Sequence, residues 1–543
     1  MSSKRLAVTL SPLLALSLAA PAGAANRYID DSGTDAGACQ SAAAPCKTIT
    51  YALGVGDSTD TYLVGGGTYM ENVTIGASAS LISSDFKPPA TAGAAIVDGG
   101  TGVGITSSTS GQIRDLTVRG DQNGIVVNDG SPTITHDVFD DPHTNNFGRV
   151  DIKAPASANL DASTFLGGGH GVYSQTSGPV TVAGSTFEHV ISGVETTQAN
   201  SITVRDNVIL VQGVKNLPIE AIAVAIQNGT GSILRNRITG EQPGGTEGIY
   251  LYGGDITLHA NRVQDANSPG IEIQNPSQPI TMDSDVIVHN SQQGISGIGA
   301  AMGLIRLTNE TIVDNSGPGQ VATDGPVSID SSIIGAGGVS AAGGCTITYS
   351  RGPTTAGNSC QRFQTSANPR FVSATNFHLL PSSPLIDAGN PMAPPAGALD
   401  ADGRPRALDG NRDCVVRRDM GAFELPAKPC VRPKCKLKPK SSQVSLATGA
   451  IKLRARCNQK VRVTLTGTVK VKQHGKTKSL ALGPLAAKLK RNVAKTLKLK
   501  LPKAARQALA NGATESARFK LIAKNFNGAT GTAKARIKHL TAT

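Results

Sequence analysis

The sequence predicts an all-β chain, a parallel β-helix solenoid followed by a small basic β-sandwich-like domain. Three observations lead there: a polar position recurring inside an apolar repeat, a composition suited to many short strands, and a sharp change of charge near Lys428. At 543 residues the chain exceeds one ordinary compact core, which leaves several domains or an elongated repeat. Its 62 Gly, 11 Phe and 8 Tyr, with no Trp, suit tight turns and small strand residues better than a large globular interior.

The first element is a leader. Lys4 and Arg5 precede an apolar stretch from Leu6 to Ala20, and Ala22-Gly23-Ala24 follows as a small-residue cleavage pattern. Residues 1–25 are therefore expected to be a secretory signal peptide, cut near Ala24 or Ala25, and the protein to be secreted. The apolar stretch of about 15 residues is shorter than the roughly 20 that a spanning helix needs, and no other stretch qualifies, so no transmembrane segment is expected. An oxidising compartment suits the 8 cysteines. Cys39 with Cys46 and Cys345 with Cys360 are the disulfide candidates; Cys414, Cys430, Cys435 and Cys457 leave three connectivities open. A zinc site at Cys430 and Cys435 lacks a second cysteine pair or a nearby His, so no metal site is expected.

The repeat begins to show in SITVRDNVIL (201–210), where Asn207 is placed to point the way the core residues Ile202, Val204 and Ile209 point. Taking Ile209 as reference recovers Val118, Phe139, Phe165, Phe187, Ile238, Val263, Ile287, Ile312 and Ile334, at spacings of 21 to 29 residues. Five places earlier every residue is apolar, from Ile113 and Ile134 to Leu307 and Ile329. Two places earlier stand Leu116, Asp137, Ser163, Ser185, Asn207, Asn236, Asn261, Asp285, Glu310 and Ser332, nearly all small and polar. A further strand follows a Gly in most repeats, as in GIVV at 124, GVYS at 171, GVET at 193, GIYL at 248, GIEI at 270 and GISG at 294. Short strands in fixed order at this period indicate a solenoid. A buried amide without partners costs roughly 1–3 kcal/mol. Coils stacked about 4.8 Å apart let the asparagines of one column bond to one another and to turn backbone as a ladder.

CQSAAAPCKTITYAL (39–53), YLVGGGTYMENVTI (62–75) and the Asn/Ser column resemble the secreted right-handed parallel β-helix (pectin-lyase-like) superfamily, with an N-terminal cap. NFHLLPSSPLIDAGNP, DADGRPR and DMGAFEL (376–424) resemble the tail of bacterial surface β-helix proteins of the choice-of-anchor Q type. The resemblance implies a right-handed solenoid over 26–340, closed by a cap or tail over 341–427. It selects no reaction, because lyases, hydrolases, epimerases, adhesins and non-catalytic binders share the fold.

From Lys428 to the end, 29 Lys and Arg face one acid, Glu515, a net of +28; the whole chain carries +13, so residues 1–427 carry −15. The stretch 428–442 reads as a Pro/Lys-rich linker. Beyond it, 443–543 alternates apolar and basic residues as half-buried strands do, with one short helix in PKAARQALANG (502–512). Outward lysines protect sheet edges and aid solubility; they also suit docking to an anionic polymer such as a cell-wall polyanion. Nucleic acid is a poorer partner, since Phe519 and Phe526 are the domain's only aromatics and no groove-reading motif is present.

The residue two after each strand-opening Gly is expected to face outward. That row holds Tyr173, Glu195, Tyr250 and Glu272, with Tyr252 and Gln274 two places on. Aromatics for sugar faces beside amides and carboxylates for hydroxyls make these the candidate substrate-binding residues of a saccharide groove. His259 with Asp283, and Arg237 with Arg262, fall in shared columns and are the weaker candidates for neutralising a uronate and abstracting its proton. DADGRPRALDGNRD (400–413) has the Asp and Asn density of a calcium loop without the EF-hand order, and turn chemistry accounts for it equally well. No cofactor is expected beyond this possible calcium. The reading is a secreted, surface-associated β-helix protein that binds polysaccharide, with a lyase or hydrolase of acidic polysaccharide as the alternative.

Overall fold

The computed structural model describes residues 23–543 apart from 77, 85, 87–94, 141–147, 168, 199–200, 214–220, 242–244, 277, 300–302, 354–359, 361–362 and 474. Of the expected leader, residues 1–22 lie outside the described residues. The chain forms two compact units, Met1–Thr257 with Val263–Gln278, and Leu258–Arg262 with Pro279–Thr543.

Both units contain solenoid coils, and each full coil supplies one strand to each of three parallel sheets. The stretch read as a single strand in SITVRDNVIL is two strands, Ser201–Arg205 and Val208–Gln212. Between them Asp206 takes a left-handed conformation, φ 60°. This bend reverses the alternation, which is why Ile202 and Val204 and then Asn207 and Ile209 all point inward despite the odd offset between the pairs. A left-handed residue precedes every ladder position, including Asp115, His136, Ala162, Arg235, Ala260, Ser284, Asn309 and Ser331. Such a conformation costs a non-glycine residue of order 1 kcal/mol and persists where the surroundings compensate.

The ladder is that compensation. In the first unit Asp137 Oδ1 accepts from Leu116 N at 2.8 Å, Ser163 Oγ from Asp137 N at 3.3 Å, Ser185 Oγ from Ser163 N at 3.1 Å and Asn207 Oδ1 from Ser185 N at 2.9 Å. Asn236 Oδ1 takes both Asn207 N and Asn207 Nδ2, each at 3.0 Å. In the second unit Asp285 Oδ1 accepts from Asn261 N, and Ser332 Oγ from Glu310 N. Bends so linked are pinned to the adjacent coil through a buried side chain.

The apolar columns align as the repeat requires. Ile113, Ile134, Leu160, Val182, Val204 and Ile233 are successive register partners in the first unit, and Met282, Leu307, Ile329 and Ile347 in the second. In the neighbouring column the rings of Phe139, Phe165 and Phe187 stack with centroids 4.6 and 4.4 Å apart. The strand-opening glycines face this column. A Cβ on Gly171 would lie 2.5 Å from the Phe187 ring, and one on Gly248 2.3 Å from Val263 Cγ1, so only Gly leaves room for the core residue opposite.

The helix Ile49–Val55, capped by Thr48 Oγ1, lies in the N-terminal cap region. In the second unit the tail packs Phe377, Leu379, Leu385, Met420 and Ala422 against Val286, Val288, Val313 and Ile333. The basic region folds as a β domain in which a three-stranded and a five-stranded sheet enclose one core. Its first strand, Cys435–Pro439, starts inside the stretch read as a linker, because Cys435 pairs with both the strand and the sulfur of Cys457. The helix falls at Lys503–Ala510, close to its expected place. Disulfides join Cys39–Cys46 and Cys345–Cys360 as expected, and Cys414–Cys430 and Cys435–Cys457 resolve the open pairings. Among the described residues no helix is long and apolar enough to cross a membrane.

Candidate functional site

The third sheet of the first unit carries an outward row in which Asp151, Tyr173, Glu195, Ala225, Tyr250 and Glu272 are successive register partners. The row advances about 4.8 Å per step, with all but the buried Ala225 half-exposed. Two groups form along the row. In one, His170 Nδ1 lies 2.8 Å from Glu195 Oε2, its ring stands 5.6 Å from that of Tyr173, and Gln175 Nε2 donates to the Tyr173 hydroxyl at 3.0 Å. Burial raises the Asp151 carboxyl above the usual range, against the pull of Lys153.

In the other group Tyr250 sits between carboxylates. Burial raises its phenol, and the fields of Glu272 and Glu247 add to the rise. Gln274 Nε2 donates to Glu272 Oε1 at 2.5 Å, and Tyr252 stands 38 % exposed beside them. The sequence also suggests that Glu247 could approach Glu272 from a loop ahead of its strand, but Glu247 lies within the strand Thr246–Tyr252 and is buried. Glu195 and Glu272 are three register steps apart, about 14 Å, too far for the carboxyl pair of a glycosidase.

His259 and Asp283, in the second unit, do meet: Nδ1 and Oδ2 are 3.4 Å apart. Their hydrogen bond raises the His259 imidazole despite burial. Burial pushes Asp283 up, but hydrogen bonds from His259 and Asn309 and the field of Arg406 outweigh it and hold the carboxyl below its usual range. Arg262 is engaged by the tail: Nη2 donates to Thr375 O at 3.2 Å and the guanidinium lies 5.8 Å from the Phe377 ring centre. Arg237, in the first unit, is exposed.

The Asp-rich tail is turn scaffolding. Asp400 accepts from the N–H groups of Asp402, Arg404 and Glu424, Asp409 from those of Asp413 and Cys414, and Asp387 from those of Gly410 and Asn411. Asp409 also lies near the sulfurs of Cys414 and Cys430, but these are bonded to each other and offer no thiolate. Buried Arg406 ties the tail to the coils through Ser284 Oγ, the carbonyls of Gly421 and Ala422, and Glu424.

Sequence reasoning missed Asp151 and His170. Asp151 belongs to the same row as Tyr173, but Gly148 pairs with His170 and leaves Arg149 opposite Gly171, so counting two places from the Gly passes over it. His170 directly precedes a strand-opening Gly, a position the counting rule did not include.

In the basic domain the exposed face of the five-stranded sheet sets like charges directly opposite one another: Arg462 with Lys488 and Lys524, Arg518 with Arg536, and Lys520 with Lys534. On the three-stranded sheet Lys436 faces Arg456, Lys438 faces Arg454 and Lys452 faces Lys498. Such pairs oppose strand association.

A family model described as a right-handed β-helix region matches residues 101–246 and 148–309. Over these residues each full coil gives one strand to each of three parallel sheets, as a β-helix does. Among solved structures, pectate lyase Pel9A aligns at 12 % identity and TM-score 0.36 over 74 % of this chain and 98 % of its own. The periplasmic alginate epimerase AlgG aligns at 14 % and 0.29 over 53 % and 77 %. Tailspike protein 2 of an Escherichia coli O157:H7 bacteriophage aligns at 12 % and 0.25 over 90 % and 66 %. No curated relative matches the sequence.

Proposed function

We propose that the protein is secreted and surface-associated, binds polysaccharide along the third sheet of its solenoid, and docks to an anionic matrix through its basic domain. The row of Tyr173, Tyr250 and Tyr252 with Glu195, Glu272 and Gln274 carries the reading. Its rings suit the C–H faces of sugars, and the carboxylates and amides beside them suit hydroxyl groups at coil spacing. The paired cations of the basic domain support the docking part, because their mutual repulsion is relieved by a polyanion. Four disulfides suit an extracytoplasmic setting.

The His170–Glu195 contact favours a second reading. A carboxylate lies 2.8 Å from the imidazole beside Tyr173, and Asp151 occupies the adjacent position of the row, so proton abstraction or glycosidic cleavage of an acidic polymer is chemically within reach. Incubation with polyuronates and neutral glycans, with and without calcium, separates the two. Retention on a glycan that Tyr173→Ala and Tyr250→Ala weaken, without unsaturated products or new reducing ends, is the result expected of a binder. Product formation abolished by His170→Ala would replace binding with catalysis.

A further inference from the structure

We infer that the basic domain holds a discrete binding site for an acidic oligosaccharide, built around Phe526. The inference deepens the docking part of the proposed function: it gives a domain of diffuse positive charge one place where a sugar ring is gripped.

Phe526 is fully exposed, at 102 % of its reference area, and takes no part in the core. A lone exposed aromatic is ordinary. What sets this one apart is the surface around it. Phe526 borders three cavities, of about 580, 590 and 400 Å³. The first is lined by Lys460, Arg462, Lys488 and Lys524; Arg412 and Lys428 line the second, and Arg491 the third. Among the described residues no carboxylate lines any of the three, while amides do: Asn411 and Asn527 in the second, Asn458 and Gln459 in the third.

The ring is held out by a built turn. Asn525 N donates to Ala529 O at 3.0 Å, Gly528 N donates to Asn525 O at 3.3 Å, and Gly528 takes φ 98°. Asn525 Nδ2 donates to Gln459 Oε1 at 3.0 Å and to Val431 O at 3.3 Å, and Gln459 Nε2 donates to the same carbonyl at 3.0 Å. The backbone that carries Phe526 is thus set before a ligand arrives, which lowers the ordering cost of binding.

An apolar ring face amid cations and amides complements a pyranose bearing a carboxylate or sulfate. The ring covers the sugar's C–H face, ammonium and guanidinium groups meet the anion, and amides meet the hydroxyls. A neutral sugar leaves the cations unanswered. A single-stranded nucleic acid stacks successive bases on successive aromatics, and here one ring stands alone.

The test uses the full chain and three short probes: hexagalacturonate, the neutral cellohexaose, and a six-nucleotide oligothymidylate. Hexagalacturonate is expected to bind most tightly, with affinity about ten-fold weaker in Phe526→Ala and retained in Phe526→Tyr, at an unchanged melting temperature. Lys460→Glu, which keeps the ring, is expected to weaken hexagalacturonate without affecting cellohexaose. Equal affinity of Phe526→Ala and wild type for hexagalacturonate would overturn the site, as would tighter, Phe526-dependent binding of the oligothymidylate. Docking is read separately, by retention of the wild type on a long polyuronate at low salt. Retention without Phe526 dependence leaves docking standing and removes this site; no retention removes docking itself.

Discussion

The solenoid and the basic domain treat polar groups in opposite ways. The solenoid buries them: a column of Asp, Ser, Asn and Glu lies in its interior, and most of its Asp, Ser and Asn members accept from the backbone of an adjacent coil. The basic domain keeps its core apolar except for buried Glu515, and sets its cations outside, like against like. The contrast separates what folding explains from what it does not. Stacking requires the ladder, since the left-handed bends need partners for their N–H groups. Strand pairing gains nothing from Arg518 opposite Arg536 or Lys520 opposite Lys534, which suits both solubility and the proposed docking to a polyanion.

If interior polar groups hold the solenoid together, breaking them should be far more costly than altering the basic face. The largest effect is expected at Arg406, whose guanidinium meets Glu424, Ser284 and two tail carbonyls in full burial. Arg406→Ala should cost about 3–5 kcal/mol, read as a lower denaturation midpoint with the tail made protease-sensitive. Asn207→Leu should come next, at ~3 kcal/mol, because it strips the acceptor of Ser185 N and the donors to Val182 O and Asn236 Oδ1. Its local signature is faster hydrogen exchange at Ser185. A midpoint unchanged in either variant would break the comparison.

A smaller effect is pH-dependent. Burial raises Asp285 to about 7, against hydrogen bonds from Asn261, and raises the neighbouring Glu310 well above its usual range. Both folded-state values exceed the unfolded ones, so this contribution is complete below about pH 4 and is lost as pH rises through 7. Asp285→Asn keeps the ladder acceptor without the ionisation. It should gain ~1–2 kcal/mol relative to wild type between pH 5 and pH 8, measured by urea midpoints. Glu515, raised to about 7 by burial, should behave in the same direction in the basic domain, with Glu515→Gln as the matching variant.

Much of this was legible in the sequence. The two core columns and the polar column were readable because solenoid stacking repeats one position in every coil, and the structure places Ile113, Val204, Phe139 and Ile209 in their columns. The split of 201–210 into two strands was written in the odd offset between Val204 and Ile209, which one strand of period two cannot bring to the same face. Long-range placements were not legible. Nothing local says that Thr375 and Phe377 come to Arg262, or that the glycine rule slips at Arg149. Phe526 was readable as an aromatic but not as an exposed one, since exposure is set by the turn that carries it.

The central claim is a proposed division of labour, with salt-dependent affinity from the paired cations of the basic sheet and sugar stacking from the solenoid row, beside which the Phe526 site favours acidic over neutral sugars. It is tested most directly by measuring binding of the full chain to polygalacturonate and to a neutral glycan across a salt series. Wild type is compared with Lys520→Glu/Lys534→Glu and with Tyr173→Ala/Tyr250→Ala. The account predicts that the lysine variant flattens the salt dependence while leaving the order of glycan preference unchanged, and that the tyrosine variant erodes the preference at an unchanged salt slope. Loss of both properties in the lysine variant and of neither in the tyrosine variant would contradict it, placing all recognition in the basic domain.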